Sequence, residues 1–130
     1  MAELTRIYDG FIPGAHEIEG FGAGGFRFAD MSHRGSIIVM PSGIVMWDAR
    51  VPADITLQSL APILAEPAGA IELLLIGTGS GLLPLQPALR AGLKAAGIGV
   101  DPMATAHAIA TFNILFAEKR LVAAALLAVA

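Results

Sequence analysis

The chain has 130 residues, with Lys+Arg 8 against Asp+Glu 11 for a formal net charge of −3, and it is 55% apolar but only 15% charged. That length suits one domain with a real core. The charge balance excludes a basic stripe for nucleic acid, and the absence of cysteine excludes disulfides, thiolate catalysis and Cys-ligated zinc. So low a charge content implies either an unusually full core or a face covered by a partner or a second copy.

Residues 1–6 lack a basic head followed by an apolar run, and they are not an Arg-rich, acid-poor transit segment. With no signal or transit peptide, a bacterial cytoplasmic location is expected. The glycine-rich stretch that follows holds Gly10, Gly14, Gly20, Gly22, Gly24 and Gly25. It forbids a long regular element and allows only short extended pieces, at Ile7–Tyr8 and at residues 16–19. Phe26-Arg27-Phe28 alternates as a short strand, and residues 32–35 read as a turn. Residues 36–40 are β-branched and apolar, a strand covered on both faces. Pro41-Ser42-Gly43 turns the chain, so residues 36–48 read as a β-hairpin carrying Trp47.

Thr56 reads as the N-cap of a helix whose apolar face is Leu57, Leu60, Ile63 and Leu64, with Pro62 kinking or shortening it unless it falls in the first turn. Residues 71–76 read as the central strand, running into the loop Gly77-Thr78-Gly79-Ser80-Gly81. The next helix starts at Pro87, buries Leu89 and Leu93, and stops at Gly97. Residues 98–101 form a strand ended by Pro102. A helix over residues 105–118 follows, capped by Thr105, with Ile109, Phe112 and Phe116 on one stripe. Residues 121–129 form the last strand; the apolar run from 121 to 130 is about half of the roughly 20 residues a membrane-spanning helix needs. The pattern predicts a three-layer α/β domain over residues 1–130: a mixed central sheet with helices on one face and a small β layer, from about residues 1–50, on the other.

The glycine loop invites comparison with a dinucleotide fingerprint, because glycines let phosphates approach and a following helix N-terminus attracts their charge. Asp101 even stands about 20 residues beyond Gly81, where a ribose-binding acid belongs. The spacing is nevertheless Gly77-x-Gly79-x-Gly81, the helix is delayed to Pro87, and no Gly-Lys-Ser/Thr follows. A tight strand exit is the favoured reading. Ser80 lies directly between glycines rather than in a G-x-S-x-G elbow. His16, His33 and His107 lack ligand spacing and read as surface or turn histidines, so no metal or other cofactor is expected. Glu17 and Glu19 read as a solvated edge. Any small-molecule or anion pocket is expected at the strand C-termini, formed by Gly77, Thr78, Gly79, Ser80, Asp101, Thr105, Thr111, Asn113 and Arg120. Asn113 would border this cleft or face water.

Several runs resemble one known family: residues 71–79, Gly97-Ile98-Gly99-Val100, Met103-Ala104-Thr105, residues 111–115 and 120–126, with Gly25-Phe26, residues 35–41 and Trp47 upstream. The chain resembles the small α/β domain shared by uncharacterised bacterial and archaeal proteins, by the mitochondrial assembly factor 3 of the NADH dehydrogenase (complex I) alpha subcomplex, and by the adipogenesis-associated domain protein. The resemblance implies a three-layer fold with a mixed sheet and no established enzymatic activity. For the mitochondrial relative it implies assisting complex I assembly through protein contacts near the inner membrane. Respiratory-complex subunits are therefore the implied partners. Asp101-Pro102-Met103 departs from the family by placing proline where an aliphatic residue is usual.

Overall fold

The computed structural model describes residues 11–130; the extended piece expected at Ile7–Tyr8 lies outside them. A six-stranded sheet carries the molecule, in the order β1 (Phe11–Pro13), β6 (Gly43–Trp47), β5 (Ser36–Met40), β9 (Val122–Leu126), β7 (Leu73–Gly77), β8 (Gly99–Met103). The half from β1 to β9 is antiparallel, while β9, β7 and β8 run parallel. The last strand therefore runs parallel to β7 and antiparallel to β5. The middle of the sheet is β5 and β9, and β7 sits one strand in from the β8 edge.

Among the described residues three α-helices connect and cover this sheet: α1 (Ala61–Leu64), α2 (Pro87–Ala95) and α3 (Thr105–Ala117). The chain steps from β7 through α2 outward to β8, then through α3 back across β7 to β9. Right-handed crossovers that step in opposite directions must pass over opposite faces. Side-chain alternation records this. Leu74, Ile76, Ala123, Ala125 and Ile38 pack with Ile63, Leu89 and Leu93 beneath α1 and α2. Leu75, Ala124, Leu126, Ile37 and Val39 pack with Ala108, Ile109 and Phe112 of α3. Every residue of β9 is buried, and its alanines suit a strand with layers on both sides.

A second, antiparallel sheet of β2 (Gly20–Gly22), β3 (Gly25–Phe28) and β4 (Met31–Arg34) forms the small β layer. It brings Phe26 and Phe28 to the same face as α3, so helix and β layer share that side. Residues 32–35, expected as a turn, are mostly strand β4. The turn lies earlier, at Ala29 and Asp30, both at positive φ (49° and 60°), the primed geometry that matches strand twist. No strand forms over residues 16–19.

Other boundaries shift for local reasons. Residues 57–60 form turns rather than helix: the Ser59 N–H donates to Thr56 Oγ1 at 3.0 Å and the Thr56 N–H to Ser59 Oγ at 3.1 Å. Pro62 lies in the first turn of α1, where it breaks no bond. Pro102 does not end β8, which runs on to Met103. The Gly99 N–H and the Met103 carbonyl point toward β7, so the proline between them faces the open edge, where a missing N–H costs nothing. The final strand stops at Leu126 rather than 129. Trp47 packs in the hairpin as expected, and its indole N–H donates to the Ser59 carbonyl at 3.0 Å.

Candidate functional site

At the C-terminal end of β7 the chain is held against the start of α3. A Cβ on Gly77 would stand 2.8 Å from Thr105 Oγ1, 2.9 Å from Thr105 Cα and 3.1 Å from Leu126 Cδ2. Glycine is required here by this close approach. Gly79, two residues on, takes φ +100°, where a side chain would be strained. Thr105 does not cap α3; Ala104 holds that position. Its hydroxyl is fully buried, accepts from the Gly79 N–H at 3.0 Å and donates to the Leu127 carbonyl at 2.8 Å. Its backbone N–H donates to the Gly79 carbonyl at 2.8 Å. One threonine thus ties together the exits of β7 and β9 and the entry of α3.

Thr78 is committed in the same way. Its N–H donates to the Met103 carbonyl, its hydroxyl donates to the Gly81 carbonyl at 2.5 Å, and the Leu83 N–H donates to that hydroxyl at 3.2 Å. Each hydroxyl has committed its only proton and one of its two lone pairs to the protein's own backbone. Beside them lies a notch of about 490 Å³, lined by Phe21, Gly79, Ser80, Ala104, Ala106, Ala128, Val129 and Ala130. Its lining side chains are apolar apart from Ser80. Leu82 (64% exposed) and Leu83 (45% exposed) project to solvent instead of filling it.

Gly77, Thr78, Gly79, Ser80 and Thr105 are brought together here, and the other expected pocket residues are not. Asp101 is exposed on β8, paired across from Leu75. Thr111 is half-buried on α3. Asn113 neither faces water nor borders the strand-end cleft: Ile18 N–H donates to its Oδ1 at 2.9 Å, and its Nδ2 donates to the Ile18 carbonyl at 2.8 Å. It clasps the chain leading into the β layer onto α3. Arg120 is at the opposite end of the sheet, beyond the C-terminus of α3. The helix that follows the glycine loop in sequence opens only at Pro87, not at the last glycine as the dinucleotide fingerprint requires.

His33 is also misplaced by sequence reasoning. It is 9% exposed on β4, with its ring 6.5 Å from that of Phe28. Burial holds its pKa below the usual imidazole range, partly offset by a hydrogen bond with the Ser36 backbone. The alternation of β4, with Ser32 and Arg34 outward, was the signal that could have revealed it. Among the described residues no three His, Cys, Asp or Glu side chains gather as a metal site, and no helix is long and apolar enough to cross a membrane.

Residues 18–127 match the family model described as "Protein of unknown function (DUF498/DUF598)". The chain belongs to that family. Among curated relatives, an uncharacterised protein of Rhodobacter capsulatus is 37% identical over 114 residues, covering 88% of this chain and 86% of that one. The NADH dehydrogenase (ubiquinone) 1 alpha subcomplex assembly factor 3 of Danio rerio is 39% identical over 104 residues, 79% of this chain but only 59% of its own length. Among solved structures, a protein described as an outer membrane protein of Bartonella henselae superimposes with a TM-score of 0.86 at 51% identity, covering 91% of this chain and 98% of that one. An Mth938-like domain from Bordetella pertussis gives a TM-score of 0.72 at 32% identity, with 86% and 85% covered. The family's fold is thus this Mth938-like arrangement of a mixed six-stranded sheet, helices and a separate three-stranded sheet.

Proposed function

We propose that the protein is a non-enzymatic interaction module, a single domain that assists assembly of a respiratory, complex I-like or membrane complex from the cytoplasmic side of a bacterial membrane. The observation that carries this reading is the chemistry of the strand end. Its buried hydroxyls are spent on the protein's own backbone, and what remains open is an apolar notch beside Phe21, itself 45% exposed. A small apolar recess with an exposed aromatic rim suits a protein side chain better than a reacting polar substrate. The name borne by the Danio rerio relative points to respiratory-complex subunits as the partners.

The test is chemical crosslinking in the native cell with a tagged chain, read by mass spectrometry, together with native gels of respiratory complexes from a deletion strain. Recovery of complex subunits and accumulation of assembly intermediates are expected. An empty prey list, intact complexes and a thermal shift produced by a metabolite would replace this reading with a small-molecule-binding one at the Gly77–Gly81 loop.

A further inference from the structure

At the end of the sheet opposite the glycine loop lies a second concavity, of about 440 Å³. Its apolar wall includes Val39, Leu121 and the rings of Phe112 and Phe116, which stack with centroids 5.7 Å apart. Lys119 and Arg120 line it as well, both exposed. Among the described residues neither cation has a carboxylate at ion-pair distance, although Glu118 adjoins them in sequence. Glu17 and Glu118 do not line the concavity. An apolar recess bordered by two unneutralised cations, in a protein of net charge −3, is a specific charge arrangement.

The backbone supplies a second, independent observation. Helix α2 ends with the Gly97 N–H donating to the Lys94 carbonyl and the Ile98 N–H to the Leu93 carbonyl, with Gly97 at φ 80°. This is the glycine-terminated helix stop expected on steric grounds. Helix α3 ends with the same pair of bonds, Lys119 to Phe116 at 2.9 Å and Arg120 to Leu115 at 3.0 Å. Here, however, the left-handed residue is Lys119, at φ 61°. The chain accepts strain at the position that sets a cation beside the recess, where a glycine would terminate the helix more easily.

We propose that this concavity binds an amphipathic anion, an aliphatic chain ending in a carboxylate. The chain lies against Phe112 and Phe116, leaving water methylene by methylene. The carboxylate meets the ammonium of Lys119 and the guanidinium of Arg120, whose planar donors match a carboxylate. This site is separate from the apolar notch at the strand C-termini and does not depend on the assembly role.

The probe is decanoate, kept below its aggregation concentration and titrated into the protein by calorimetry and NMR, with decanol as the uncharged control. Saturable one-to-one binding of decanoate is expected, with shifts at Phe116 and Leu121, and with affinity about tenfold above that of decanol, the effect of two partly exposed charge pairs. Lys119→Gly combined with Arg120→Gln brings decanoate down to the affinity of decanol. Lys119→Gly by itself raises the melting temperature while weakening decanoate, so lost binding is not lost folding. Ala15→Trp, at an exposed residue lining the recess, blocks both probes. No saturable binding, equal affinity for decanoate and decanol, or undiminished binding to Ala15→Trp would each overturn the proposal.

Discussion

At one end of β7 and β9 the polar groups turn inward; at the other, exposed charged groups border an apolar recess. The glycine loop looks like a ligand loop in one dimension, yet Thr78 and Thr105 spend their hydroxyls on Gly79, Gly81, Leu83 and Leu127. The stretch after α3 looks in sequence like an ordinary helix end. It nevertheless places Lys119 and Arg120 at an apolar recess. The difference lies in what satisfies the polar groups. Buried hydroxyls must be paired at once and become structural. Exposed cations are satisfied by water until a ligand replaces it.

The contrast is broken most severely at Gly77. Replacing Gly77 with Val puts a branched side chain into Thr105 and Leu126. A loss of about 3 kcal/mol is expected from overpacking, read by urea denaturation; an unchanged midpoint would mean that α3 can withdraw without cost. A smaller loss, about 2 kcal/mol, is expected for Thr105→Val, which preserves shape but strands the Gly79 N–H and the Leu127 carbonyl. Thr105→Ser should recover most of it, since the hydroxyl is the operative group. The opposite end should respond with the opposite sign. Lys119→Gly relieves the left-handed backbone and is expected to stabilise the fold by about 1 kcal/mol. A destabilised Lys119→Gly protein would show that the lysine side chain contributes packing, and the two ends would then be alike in being built for stability.

Much of the fold was legible because its signals are local. The hairpin over residues 36–48, the helix start at Pro87, the stop at Gly97 and the stripe of Ile109, Phe112 and Phe116 follow from turn chemistry and periodicity. The site was less legible. Asn113 in an apolar helix did announce something unusual, but its partner is Ile18, 95 residues away. Arg120 belongs in sequence to the polar set of the third helix with Thr105, but the 13 residues of α3, about 20 Å of helix, set it at the far end of the sheet. Pro102 misled because its effect depends on whether its strand is central or at an edge.

The sequence by itself determined the three-layer α/β class, the hairpin over residues 36–48, the alternation of strands and helices in the second half and the helix stop at Gly97, since backbone sterics and hydrophobic periodicity act within a few residues. Only the tertiary structure decided that β9 runs parallel to β7, that α3 shares its face with the β layer, and that Thr105 is a buried tie. The same holds for the opening of a cationic recess at the sheet end opposite the glycine loop. Those outcomes depend on which strand neighbours which and on which face each crossover takes. Such pairings are set by the burial of both sheet faces together, and no short window of residues contains them.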